Sequence, residues 1–195
     1  MNNQPIQLNT EARAKDTTTL FGFWVYLMTD FVLFASLFAT FAVLRTNASA
    51  TAHFFDLPFV LLETIILLSS SFTCGIALLA AREGNRSSVL SALAATALLG
   101  TTFVGLEVSE FAKLAAAGSV PAASGFLSAY FTLVGTHGLH VSIGIVWMLA
   151  LMIAIASKGL SRSNMRKLIL LSLFWHFLDI VWIFIFTIVY LMPFV

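Results

Sequence analysis

Five apolar runs, at about 21–44, 58–82, 88–109, 126–156 and 168–194, leave this 195-residue chain few ways to fold. A helix rises about 1.5 Å per residue, so about 20 residues cross the roughly 30 Å hydrocarbon core of a bilayer. Every run reaches that length. Inside hydrocarbon each backbone N–H and C=O needs a partner within the protein, which leaves only helices or a closed barrel. Barrel strands alternate polar and apolar residues over about 10 positions, whereas these runs are apolar all round. The expected fold is all-α and integral to the membrane, with five transmembrane helices in one bundle over residues 21–195.

The breaks between runs are polar or carry turn residues. They fall at Arg45 to Asp56, at Arg82 to Ser87 with Glu83 and Gly84, at Glu110 to Gly125 with Pro121, and at Ser157 to Lys167. Residues 1–20 combine Asn, Gln, Thr and mixed charge without an aromatic ring, so they are expected to form a cytoplasmic tail, mobile or docked on a partner. The first run is about twice the length of a signal-peptide core and lacks a small-residue cleavage site, which makes it a retained anchor. Gly75, Gly100, Gly105, Gly135, Gly138 and Gly144 lie within the runs, where small residues let helices approach closely.

A composition of 59% hydrophobic and 10% charged residues agrees with burial in a bilayer, and a net charge of +1 gives no field for gathering nucleic acid. Lone Cys74 can form neither an intrachain disulfide nor a multi-cysteine metal site. With five crossings, the N-terminal tail and the second and fourth loops share one side. That side holds Arg13, Lys15, Arg82, Arg86, Lys158, Arg162, Arg166 and Lys167, against Arg45 and Lys113 on the other. This bias predicts a cytoplasmic N-terminus and a periplasmic C-terminus.

A charge at the centre of a bilayer costs several kcal/mol, so ionisable residues within spans face protein, water or one another. Asp30, Glu63, Glu107, His137, His140, His176 and Asp179 lie inside the runs, and Glu110 lies at an end. Counted inward from the external ends, Glu63 and Glu107 lie roughly 5–10 Å deep, and Asp30, His140 and Asp179 roughly 20–25 Å. Glu107 and Glu110, His137 and His140, and His176 and Asp179 are each three residues apart, so each pair shares a helix face expected to point into the bundle. Trp175 and Trp182 border the last of these faces. Asp30 has no in-helix ionic partner, so it meets another span or subunit or stays protonated in apolar surroundings.

These residues admit several functions. His137 and His140 with nearby carboxylates could ligate a metal, yet neither Glu63 nor Glu107 begins the Glu-x-x-His pattern of a di-iron bundle. His140 and His176 are the plausible axial pair for a haem, at depths that differ by about half a turn to a turn and a half. Intramembrane Asp, Glu and His also mark proton and ion routes, although a transporter is expected to show internal repeats. The remaining reading is interhelical hydrogen bonding that fixes the register of five helices. The Phe residues and Met28, Met148, Met152 and Met192 are expected to be packing or lipid-facing surface, and His53 to be a solvated loop residue.

Several stretches together resemble the cytochrome oxidase subunit III family. They are Phe21-Gly22-Phe23-Trp24 through Asp30, Glu63, Phe103-Val104-Gly105-Leu106-Glu107 to Glu110, Gly135-Thr136-His137-Gly138-Leu139-His140-Val141, and Trp175-His176-Phe177-Leu178-Asp179 with Val181-Trp182. They occur in family order over residues 20 to 192. Longer members have seven spans, and this chain is similar to the form lacking the first two. Asp30 stands where those members usually carry a membrane Glu, and within the family the chain is most similar to the bacterial quinol-oxidising b/o-type branch.

The resemblance implies a non-catalytic subunit III of a proton-pumping terminal ubiquinol oxidase, an oxygen-reducing enzyme of the aerobic respiratory chain in the bacterial inner membrane. It also implies catalytic subunit I as the holder of haems and copper, further subunits II and IV, and no cofactor on this chain. A structural phospholipid is a further implication, but the family's lipid cleft lies between the two missing helices and the rest, so any lipid here is expected against another subunit. Asp30 takes the position of the family carboxylate that supports proton uptake. Glu63, Glu107, Glu110, His137, His140, His176 and Asp179 form the expected interior polar framework. A subunit III of a cytochrome c oxidase, an independent transporter and a metal-binding membrane protein remain the alternatives.

Overall fold

The computed structural model describes residues 4–45, 57–116, 118 and 124–191, with only the backbone of residues 4–16. Its helices are α1 (Gln4–Leu44), α2 (Leu57–Arg82), α3 (Arg86–Ala116), α4 (Gly125–Lys158) and α5 (Arg162–Ile185), and α5 runs on as a π-helical turn over Phe186–Leu191. Five segments are long and apolar enough to cross a membrane: Thr17–Leu44, Leu57–Arg82, Arg86–Ala116, Gly125–Lys158 and Arg162–Leu191. His53, Pro121 and Met192 lie outside the described residues.

The helix ends differ from the sequence expectation in places where local chemistry outweighs hydropathy. The α1 backbone is helical from Gln4, because Pro5 is tolerated in a first turn and Gln, Leu, Glu, Ala, Arg and Lys favour helix. Glu110 does not end α3; the helix continues through Phe111-Ala-Lys-Leu-Ala-Ala to Ala116, shortly before Gly118 at φ 79°. α5 begins at Arg162, six residues before its apolar run, because the Ser161 side chain accepts from Asn164 N at 3.3 Å.

The short connections are built from capping chemistry. Gly84, at φ 75°, donates its N–H to Ala81 O, and Asn85 N–H bonds Ala80 O, a Schellman closure of α2. The Asn85 side chain then accepts from Ser88 N at 3.2 Å and opens α3. Gly159, at φ 68°, closes α4 onto Ile155 O, and Asn164 Nδ2 donates to Gly159 O at 2.8 Å, tying the turn to α5. The Arg86 guanidinium donates to Ala156 O and fastens the start of α3 to the end of α4.

α2, α3, α4 and α5 form a ring in which each packs on the next, and α1 lies in the groove between α4 and α5. Lipid is as apolar as leucine, so helices associate there through close packing and interhelical hydrogen bonds. Two glycines show this. A Cβ at Gly100 of α3 or Gly144 of α4 would come within 2.9 Å of the Trp175 ring, so the absence of side chains lets this α5 indole wedge between the two helices. Met148 is buried in the bundle, and Met28 is half-exposed on α1.

Gly144→Ala and Gly100→Ala are each expected to lower stability by about 1–3 kcal/mol through overpacking against Trp175. Gly105→Ala, with open space around it, should leave stability unchanged. Thermal unfolding of the purified protein in detergent reads the difference.

Candidate functional site

Every ionisable residue singled out in the spans except His140 and His176 is buried, and the set separates into distinct groups. The first joins α1 to α4. His140 Nδ1–H donates to Thr136 O at 2.7 Å, one turn back on its own helix, which turns Nε2 toward Asp30 Oδ1 at 3.8 Å. Attraction between these atoms requires a proton on Nε2 or on the carboxyl, since otherwise a lone pair faces an anion. Tyr26 lies alongside Asp30, and the Phe34 ring is 5.3 Å from the imidazole.

His137, one turn before His140, serves a different neighbour. Its fully buried ring donates from Nε2 to Leu178 O of α5 at 3.2 Å and leaves Nδ1 without a partner. Phe103 meets it edge-on at 5.8 Å, and Trp182 packs at 5.1 Å. Because three helical residues turn through about 300°, His137 and His140 sit about 60° apart, enough to face different helices.

The second group joins α2, α3 and α4. Glu63, Glu107 and Glu110 lie within electrostatic range of one another, and Glu63 and Glu107 are almost wholly buried. Gly138 supplies the seat. A Cβ there would lie 2.8 Å from Glu107 Oε2, so the glycine of His137-Gly138-Leu139-His140 is the space the Glu107 carboxyl occupies. Tyr130 and Tyr190 share a buried 2.8 Å hydroxyl bond near this cluster.

Asp179, grouped with Asp30 and His140 by depth, instead faces Ser71 of α2. His176 is the clear departure from the expected interior framework. It is exposed on the outer face of α5, with Nδ1 bonded to Ser172 O of its own helix at 2.7 Å. The spacing of three to Asp179 left room for this, because the 60° offset puts one residue inside the bundle and the other at its edge. His140 and His176 consequently point to different surroundings and do not converge as an axial pair. Among the described residues, no three His, Cys, Asp or Glu side chains are placed to hold a metal ion.

Comparison with known proteins decides the family. Residues 9–193 match the family model described as cytochrome c oxidase subunit III. The chain belongs to the cytochrome c oxidase subunit III family. One curated relative is the "Cytochrome bo(3) ubiquinol oxidase subunit 3" of Pseudomonas aeruginosa, 55% identical over 89% of this chain and 85% of the relative. The protein of the same name from Pseudomonas putida is 50% identical over 89% and 86%. The "Probable quinol oxidase subunit 3" of Staphylococcus aureus is 45% identical over 87% of each chain.

The subunit III bundle also relies on hydrogen bonds that the pattern of ionisable residues did not reveal. Trp175 Nε1 donates to Ser70 Oγ at 3.0 Å, and that hydroxyl donates to Thr96 O at 3.3 Å. Trp182 Nε1 donates to Thr64 Oγ1 at 3.1 Å, and that hydroxyl donates to Val60 O at 2.9 Å. The signal was the seven-residue tryptophan spacing opposite the six-residue Thr64 to Ser70 spacing on α2.

Gly138→Ala is expected to displace the Glu107 carboxyl and lower stability by about 1–3 kcal/mol. Glu107→Ala in the same chain should relieve most of the steric part. A double-mutant cycle by thermal unfolding checks this, and fully additive losses would show that the two residues do not share the site.

Proposed function

We propose that this chain is the non-catalytic subunit III of a proton-pumping ubiquinol oxidase in a bacterial inner membrane, with its N-terminus cytoplasmic and C-terminus periplasmic. The complex oxidises quinol and reduces oxygen to water. The relatives named as quinol oxidase subunits, similar along most of this chain, carry the reading and favour it over a cytochrome c oxidase subunit. The interior supports it too, since His137, Trp175 and Trp182 are taken up in bonds from helix to helix. The orientation rests on the eight-to-two distribution of basic residues.

In this reading the haems and copper belong to subunit I, subunits II and IV complete the assembly, and phospholipid lies against a neighbouring subunit. The chain contributes shape, plus one couple between α1 and α4 able to hold a proton. Asp30 and His140 are the pair by which it supports proton uptake, because their contact across α1 and α4 needs a proton on one side or the other.

Purification of the tagged chain from its native membrane should recover a larger haem-bearing polypeptide. Recovery as a functional homo-oligomer without haem would contradict the proposal and favour a transporter. Asp30→Asn should leave the haem spectrum of the assembled enzyme intact while reducing sustained proton uptake. His140→Leu should weaken assembly by about 1–3 kcal/mol, the cost of leaving a buried polar group unpaired. Loss of haem in the Asp30→Asn enzyme would place that residue elsewhere in the account.

A further inference from the structure

Hydrocarbon offers a side chain no hydrogen-bond partner, and most exposed hydroxyls in these spans answer that within their own helix. Thr29 bonds Tyr26 O, Ser36 bonds Leu33 O, Thr40 bonds Ser36 O, Ser69 bonds Ile65 O and Thr102 bonds Leu98 O. Such back-bonding satisfies a hydroxyl donor and lets the residue face lipid. An imidazole has two nitrogens, and back-bonding satisfies only one.

His176 is in that position. Its Nδ1–H donates to Ser172 O, which fixes the tautomer and leaves the Nε2 lone pair on the outside of the bundle. Asp179 is within electrostatic range but turns inward to Ser71, and among the described residues no carboxylate lies within ion-pair distance of the His176 ring. The residue is fourteen positions from Arg162 and fifteen from Leu191 along a span of 30 residues. At about 1.5 Å per residue it lies roughly 20 Å from either end, too deep for an imidazole to reach an interface.

The surroundings form a continuous apolar face. Exposed Ile169 lies seven residues before His176 and exposed Ile180, Ile183 and Phe184 lie four, seven and eight after it, on a face bounded by α1 on one side and α2 on the other. Ile180 is 54% and Phe184 51% exposed, the values of residues that lipid or a neighbouring helix covers. Apolar contact alone does not discriminate between those coverings. The unanswered Nε2 does, because only protein carries a hydrogen-bond donor at that depth.

We propose that the outer face of α5 between α1 and α2, centred on His176, docks on a transmembrane helix of another oxidase subunit that presents a hydrogen-bond donor to Nε2. The donor is a neutral group such as a hydroxyl, amide or indole N–H, set among apolar residues that match the isoleucines and Phe184. The proposal rests on the reading of this chain as an oxidase subunit.

The test uses the intact complex in its native membrane. A p-benzoylphenylalanine photo-crosslinker placed at Ile180, and separately at His176, should form adducts with another subunit of the oxidase. Placed at Leu98 or Ile153, each 70% exposed and on α3 and α4, it should form no such adduct. Because His176 lies outside the bundle, His176→Leu should fold, yet retention of partner subunits after detergent dilution should fall about 3- to 10-fold, the worth of one interhelical hydrogen bond. His176→Gln, which keeps an acceptor, should restore most of it. Crosslinks from Leu98 or Ile153 but not from Ile180 or His176 would overturn the docking face and leave the subunit reading intact. Equal retention for His176→Leu and the parent would overturn the hydrogen bond. A chain that purifies with no other subunit at all would instead remove the reading on which the proposal rests.

Discussion

Two indole N–H groups on one helix and two hydroxyls on another set the register of this bundle. Trp175 and Trp182 lie two turns apart on α5, and Ser70 and Thr64 answer them from α2. Each hydroxyl accepts from an indole and donates to a backbone carbonyl, so these buried polar atoms are satisfied where no water can serve them. Trp175 also fills the space left by Gly100 and Gly144, which brings α3 and α4 to the same ring. One face of α5 thereby fixes its distance to three other helices, and α1 closes against α4 and α5.

The remaining polar interior follows the same economy of short links between neighbouring helices. His137 ties α4 to the Leu178 carbonyl of α5, Asp30 and His140 join α1 to α4, and Glu107 rests on Gly138. These links point in different directions instead of converging on one atom. Such an interior suits a subunit whose task is to hold shape beside a redox partner. The Asp30 and His140 contact stands out as the place where a carboxyl and an imidazole on two helices face each other, 3.8 Å apart.

Apolar length made the five helices legible, and the tandem His-Gly-Leu-His and Trp-His-Phe-x-Asp motifs made the family legible. Helix ends were less so, because the Ser161 cap and the helix-forming residues after Glu110 act through local hydrogen bonding and propensity that hydropathy does not register. The site was half legible. Burial of Asp30, Glu63, Glu107, Glu110, His137 and Asp179 follows from the cost of charge in lipid, but partners depend on how helices rotate about their axes, which spacing constrains only to about 60°. That margin sends His137 to Leu178, His140 to Asp30, and His176 to the outside of the bundle. It also hid Ser70 and Thr64, since hydroxyls are common in spans and become informative only once the facing helix is known.

The most direct measurement is a double-mutant cycle between Trp182 and Thr64, read by thermal unfolding of the purified complex. Trp182→Phe keeps the ring packing and removes the donor, and Thr64→Val keeps the shape and removes the acceptor. If the indole-to-hydroxyl bond fixes the register of α5 on α2, the cycle yields a coupling of about 0.5–1.5 kcal/mol. Losses that add without coupling would contradict that account.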